Sequence, residues 1–256
     1  MAKSKQPRIL ISNDDGVHAP GLKVLEKVAR TITSDVWVVA PENEHSGAGH
    51  SLTLRRPIRV RKVSPKRFAV DGTPTDCVMV AINKILKDNP PTLVLSGINH
   101  GSNLGEDVTY SGTVAAAMEA TLLGVPAIAL SQSTKHDQPT KWSTAEYFAP
   151  QIIKKLIIQQ WPSLVLMNVN FPDVVSQSVK GIRIVKQGLR HVRDNLIDWF
   201  DPVGRPFYWI NVIQDNTPTE LETDLEAINQ DFIAITPLHL DLSHEKMLKQ
   251  LKQVFP

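Results

Sequence analysis

Four short runs in the first half of the chain are rich in β-branched and other apolar residues: Arg8–Ser12, Val36–Ala40, Leu93–Ser96 and Ala127–Ser131. Runs of this length without polar alternation predict parallel strands buried on both faces. Between them, apolar residues recur at helical spacing over Leu22–Thr33, Thr75–Lys87 and Thr113–Leu123. Thr73, Pro74 and Asp76 supply a cap, a first-turn proline and a first-turn acid for the second of these helices. Asn89-Pro90-Pro91 ends it, and Gly124-Val125-Pro126 ends the third. The alternation is a βαβ rhythm, which predicts a doubly wound sheet covered by helices.

Ser51–Val70 breaks that rhythm, and Thr53, Ile58, Val60, Val63 and Phe68 predict a short antiparallel insertion. A helix is expected over Thr144–Gln160, then a strand over Leu164–Asn168. Beyond Pro172 the texture turns β-rich, with strands expected at Gly181–Val185, Leu189–Val192, Phe207–Val212 and Phe232–Thr236, and a short helix at Thr223–Asn229. Ser243–Val254 closes the chain as an amphipathic helix, with Met247, Leu248, Leu251, Val254 and Phe255 on one stripe. The fold class expected is therefore α/β: a three-layer αβα sandwich on a mostly parallel, Rossmann-like sheet. Its Rossmann-like core is expected over residues 1–172. Residues 173–256 form a β-rich extension with a returning core strand and the terminal helix, the whole amounting to one domain.

Composition narrows the classes of function. The 256 residues are 42% hydrophobic and 21% charged, a globular mix, and 28 basic residues nearly balance 26 acidic ones. A net charge of +2 gives no global basic field for a nucleic-acid polymer. The local run Arg55, Arg56, Arg59, Arg61, Lys62, Lys66 and Arg67 reads as a solvated strand pair before a polyanion-steering patch. Cys77 is the only cysteine, which excludes an internal disulfide and a cysteine zinc cluster; its apolar context predicts a buried thiol. No segment has the length of a membrane span or the form of a signal peptide, so a cytoplasmic protein is expected.

Ligands of open parallel sheets bind outside the carboxyl ends of the strands, so the residues just beyond each strand matter most. Beyond the first lie Asn13-Asp14-Asp15-Gly16, whose adjacent carboxylates repel unless a cation or a proton intervenes. Hard divalent cations take such oxygen ligands, yet a turn with aspartate as a helix cap fits the same residues. The motif alone leaves both open. The second strand leads into a long polar loop with Ser46, Gly47 and Gly49, which lacks the third glycine of a dinucleotide fingerprint. The third leads through Asn99 and Asn103 to Tyr110-Ser111-Gly112-Thr113 at a helix start, where unpaired amides and the helix dipole suit a phosphate. No Walker A pattern is present.

Several blocks resemble the SurE survival-protein family: Ile9–Gly16, Ala19-Pro20-Gly21, Ser46-Gly47, Ser51-Leu52-Thr53, Asp71–Asp76, Ser96–Gly101 and Tyr110–Val114. The likeness continues in order through Asp201–Pro206, Phe207-Tyr208-Trp209 and Thr236–Asp241. It implies a metal-dependent 5′/3′-nucleotidase acting on nucleoside monophosphates, and on short polyphosphate in some members. The resemblance places one Mg²⁺ or Mn²⁺ per subunit on Asp14, Asp15, Ser46 and Asn99. Asn103, Ser111, Gly112 and Thr113 fall at the phosphate, and Asn13 beside the metal. It further implies a homodimer or homotetramer joined through the C-terminal segment. His45 stands where arginine or glutamine is expected, which bears on substrate preference.

The mechanism expected is metal-assisted phosphomonoester hydrolysis with Asp14 and Asp15 at its centre. Attack by water is favoured over attack by a carboxylate. His239, Asp241 and His244 are expected in acid–base or subunit-contact roles ahead of a second metal site. His18, His100, His136 and His191 read as ordinary surface or hydrogen-bonded residues. Two alternatives are a non-catalytic nucleotide-binding module and a haloacid-dehalogenase phosphatase; the latter uses Asp-x-Asp, whereas the acids here are adjacent.

Overall fold

Side-chain alternation within the first strands sets the architecture. The computed structural model of the chain describes residues 6–135, 138–159, 161–189, 193–213 and 220–255. In β1 (Ile9–Ser12), Ile9 and Ile11 enter one apolar layer and Leu10 the other. Pro20–Arg30 forms α1, Val36–Pro41 forms β2, and Val60–Ser64 with Arg67–Val70 form the hairpin β3–β4. Then come α2 (Pro74–Val80), which passes into a π turn at Ala81–Ile85, β5 (Leu93–His100), the one-turn α3 (Asp107–Tyr110) and α4 (Gly112–Leu122). After β6 (Ala127–Gln132), α5 (Trp142–Ile157) and β7 (Val165–Phe171), the chain forms β8 (Gly181–Ile184), β9 (Arg193–Phe200) and β10 (Pro206–Ile213). It ends with α6 (Asp224–Asn229), β11 (Phe232–His239) and α7 (Glu245–Val254).

Nine strands make one sheet in the order β3-β4-β2-β1-β5-β6-β7-β11-β8. The run from β4 to β7 is parallel; β3 is antiparallel to β4, and β11 is antiparallel to β7. One layer packs α1 and α5 on the sheet through Leu22, Leu25, Ile152 and Ile153. The opposite layer packs α2 and α4 through Cys77, Val78, Ala116 and Ala120. That two-sided burial is why these strands lack polar alternation. The order reverses between β1 and β5, so the crevice beyond their carboxyl ends is the ligand position such a sheet offers.

Helix boundaries reflect local chemistry. Thr73 and Asp76 form a reciprocal capping box at α2, Ser111 caps α4 by accepting from the Val114 amide at 3.0 Å, and Lys27 and Arg30 sit in the last turn of α1. Cys77 is fully buried, and its thiol is pushed well up by desolvation first and then by Asp76. The basic run is largely paired: Arg56 with Asp71, Arg61 with Glu42, Lys66 with Asp35 and Arg67 with Glu26.

Several boundaries differ from expectation. The antiparallel insertion is confined to Val60–Val70, because residues 51–59 form no regular structure and Ser51 and Thr53 tie to Thr73 and Asp76 at the start of α2 instead. Of the strand expected at Leu189–Val192, residues 190–192 lie outside the described residues, as does His136; the next strand is Arg193–Phe200, which among the described residues pairs with β10. Beyond Pro172, β8 and β11 extend the central sheet itself. The terminal helix α7 buries none of its residues, and its stripe of Met247, Leu248 and Leu251 is about half exposed. No helix of the described residues is long and apolar enough to cross a membrane.

Candidate metal and phosphate site

The turn after β1 separates two roles that its sequence left entangled. Asn13 donates Nδ2–H to the Gly16 carbonyl at 3.1 Å, and the Ala19 amide donates to the same oxygen at 3.1 Å. Gly16 adopts φ +102°, which a side chain would strain. The N-cap of α1 is Ala19, with no side-chain cap. Neither Asp14 nor Asp15 is therefore used as the cap, and both carboxylates are left for other work.

Asp14 is buried, and its Oδ1 accepts the Thr113 hydroxyl. Desolvation raises its pKa above the ordinary carboxylate value, against the Thr113 hydrogen bond and with a further push from Glu44. Asp15 is pushed up to about 6, by burial first and then by the charge of Asp14; the His100 amide draws it down and Glu44 draws it up again. None of the described residues forms a salt bridge with either carboxylate. Two adjacent desolvated acids without a cation are an unbalanced pair, and a divalent ion is the simplest remedy.

The candidate neutral oxygens stand on the two flanking segments. The loop after β2 is tied to the pair by the His45 amide, which donates to the Asp14 carbonyl at 2.8 Å. The next residue, Ser46, donates its hydroxyl to Glu44 Oε1 at 2.8 Å. Asn99, near the end of β5, donates Nδ2–H to the Gly101 carbonyl at 3.0 Å. In both residues the donor side is engaged by protein, and the oxygen lone pairs remain for a cation. Asn13 Oδ1 is buried and accepts no hydrogen bond from the described residues. Among the described residues no group of three or more His, Cys, Asp or Glu converges, so a hard cation here would draw on the acid pair and on neutral oxygens. The residues fit Mg²⁺ or Mn²⁺.

The start of α4 abuts the acids. A Cβ on Gly112 would lie 2.7 Å from Asp14 Cβ, 3.0 Å from its Oδ2 and 3.1 Å from Pro74 Cγ. Only glycine lets the helix end approach so closely, which sets the positive end of the helix and the Thr113 amide against the carboxylate. Thr113, expected at the phosphate, holds Asp14. Ser111, expected there too, has its oxygen occupied as the cap, with its hydroxyl proton still available.

Asn103 is held on several sides. Its amide donates to Asn170 Oδ1 at 2.8 Å, and its carbonyl accepts from Asn168 and Asn170 at 2.9 and 3.1 Å. Its Nδ2 donates to Ser131 Oγ at 2.8 Å, and Ser131 faces Asn99 across β5 and β6. Sequence reasoning missed Asn168, Asn170 and Ser131; the available signal was two asparagines alternating in an otherwise apolar strand. It also missed Glu44 beside the acids.

The C-terminal trio stays apart from this site. His239 Nδ1 lies 3.2 Å from the Asp241 carbonyl, and His244 caps α7 by accepting from the Met247 amide. His18 and His100 are exposed, and His191 lies outside the described residues.

The family model of Survival protein SurE matches residues 9–194. The chain belongs to the SurE family. Among its relatives, a protein of Paramagnetospirillum magneticum named 5′-nucleotidase SurE is 57% identical over 97% of this chain and 95% of its own length. Another of that name from Parvibaculum lavamentivorans is 55% identical over 98% of this chain and 92% of its own length. The crystal structure of the SurE protein from Aquifex aeolicus superposes with a TM-score of 0.86 at 39% identity, covering 98% of this chain and all of that one. SurE membership thus extends over the crevice at β1 and β5, the loop bearing Ser46 and the start of α4.

Proposed function

We propose that this SurE chain is a divalent-metal-dependent nucleotidase that hydrolyses nucleoside 5′- and 3′-monophosphates, and short polyphosphate in addition. The observation that carries the reading is the pair Asp14–Asp15: both desolvated, both raised, without a cationic partner among the described residues, and set against the start of α4. The names of the relatives support the nucleotide as substrate.

Asp14, Asp15, Ser46 and Asn99 would hold the metal. When bound, Mg²⁺ or Mn²⁺ neutralises phosphate charge and makes nearby water more acidic. Thr113 fixes the Asp14 carboxylate through one oxygen, while Gly112 lies against the other. Asp14 so confined cannot readily swing to attack phosphorus, which favours water over that carboxylate as the nucleophile. Asn103, locked by Asn168, Asn170 and Ser131, and the Gly112 amide at the start of α4 orient the phosphoryl group and stabilise charge as the bond breaks. The Ser111 hydroxyl can donate to the same group. Self-association as a dimer or tetramer is part of this reading, supported by the exposed apolar stripe of α7.

The test is inorganic phosphate release from nucleoside 5′- and 3′-monophosphates with Mn²⁺, with and without chelator. Chelator-sensitive release from both classes is expected. Negligible release despite nucleotide binding would instead make the protein a binding module.

A further inference from the structure

We propose that His50 and Glu119 form a latch that positions the Ser46 loop for metal binding. This rests on the assignment of Ser46 to the metal and adds a positioning pair outside the ligand set.

The loop leaving β2 is long and polar, and Ser46 stands on it beside neighbours of unusual backbone freedom. Gly47 adopts φ +74° and Gly49 φ +54°, and nothing lies within 4 Å of a Cβ built on Gly47. Two glycines in left-handed conformations leave such a segment with many alternatives in the absence of anchors. Before Ser46 the anchor is the His45 amide on the Asp14 carbonyl. After it, the Gly49 amide donates to the Tyr110 carbonyl at 2.9 Å. His50 then brings Nε2 within 3.0 Å of Glu119 Oε2.

That contact is the side-chain anchor of the Ser46–His50 stretch. Glu119 is buried on α4, and a buried carboxylate needs a donor. His50 supplies one, from a side chain that is 32% exposed against 9% for Glu119. The location matters as much as the strength. Glu119 lies six residues beyond Thr113 on the same helix, about 9 Å along its axis. The helix whose first turn grips Asp14 therefore also holds the loop that presents Ser46. Through His50, α4 acts as a rigid bar that sets the Ser46 loop relative to the acid pair. His50 is a positioning residue, since it acts through Ser46.

The experiment is isothermal titration of Mn²⁺ into the full chain without nucleotide, for wild type, His50→Ala, His50→Gln, Ser46→Ala and Ser46→Ala/His50→Ala. Outer partners of metal ligands commonly contribute ten- to a hundredfold in affinity, so His50→Ala is expected to weaken Mn²⁺ binding by about tenfold or more. His50→Gln is expected to restore most of it, because its amide reaches the same carboxylate. In the Ser46→Ala background, removing His50 should cost less than about twofold, since the ligand it positions is gone. Activity of His50→Ala should return as Mn²⁺ is raised, which a general loss of fold would not allow. Wild-type Mn²⁺ affinity in His50→Ala overturns the proposal, and so does a full His50→Ala penalty on top of Ser46→Ala. Should His50→Ala fail to fold, Glu119→Met, which removes the acceptor, takes its place in the same cycle with the same two readings. A wild-type chain that binds no Mn²⁺ would refute the metal assignment instead, so the two failures are distinct.

Discussion

Gly112→Ala separates local propensity from site geometry. In a solvent-facing helix interior, alanine in place of glycine stabilises by about 1 kcal/mol. Here a new methyl group would meet Asp14 Cβ at 2.7 Å, Asp14 Oδ2 at 3.0 Å and Pro74 Cγ at 3.1 Å. Ordinary carbon–carbon contact begins near ~3.5 Å, so helix start and acid must part by roughly 0.5–1 Å. Overpacking of that kind costs about 1–3 kcal/mol, enough to cancel or reverse the propensity gain. At about 2–4 °C per kcal/mol, the melting temperature of the metal-free protein should hold or fall by up to several degrees. The catalytic effect should be larger, because a displacement near ~1 Å at a positioned group can cost about a hundredfold in rate. Thermal melting and kcat at saturating Mn²⁺ measure the two separately. A Gly112→Ala protein with raised melting temperature and unchanged kcat would refute the close approach of α4 to Asp14.

Electrostatics gives two more expected outcomes. In chelator, Asp15→Asn should melt higher than wild type, because it relieves repulsion between desolvated neighbours; Mn²⁺ should then raise the wild-type melting temperature and leave the variant nearly unmoved. Equal metal-induced shifts in both proteins would contradict that account. Burial alone would raise the pKa of Asp35, but Lys66 and Arg8 at 2.7 Å and the Trp37 indole at 3.0 Å hold it down to about 2. A carboxyl depressed in the folded state stabilises above its unfolded value of about 4, and this stabilisation is lost as pH falls towards the depressed value. Asp35→Asn should therefore melt below wild type at about pH 5–7, with the gap closing towards pH 2, the folded-state value; a gap independent of pH would contradict it.

Much of the fold was legible because burial writes itself into sequence where both sheet faces are covered. β1, β2, β5 and β6 read as apolar runs for that reason. β9 carries no such record: among the described residues it pairs only with β10, and Leu196, Trp199, Phe207 and Trp209 remain exposed, so no core imposed a pattern that would fix its boundaries. The π turn after α2 was equally hidden, since Ala81–Ile85 has ordinary helical composition. At the site, residue types were readable but the division of labour was not. Asn13, Asp14 and Asp15 are all competent turn cappers; the contacts that assign the turn to Asn13 and tie Asp14 to α4 come partly from Thr113, distant in sequence. His50–Glu119 and Asn103–Asn170 span similar separations, and neither carries a local motif.

The central claim is that Asp14 and Asp15 hold a divalent cation on which phosphate release depends. Phosphate release from a nucleoside 5′-monophosphate should be followed for wild type and Asp14→Asn, first in chelator and then with Mn²⁺ restored. Wild-type activity should vanish in chelator and return with Mn²⁺, and Asp14→Asn should remain down by about two orders of magnitude or more under both conditions. Turnover that survives the chelator, or full activity in Asp14→Asn, would contradict the account.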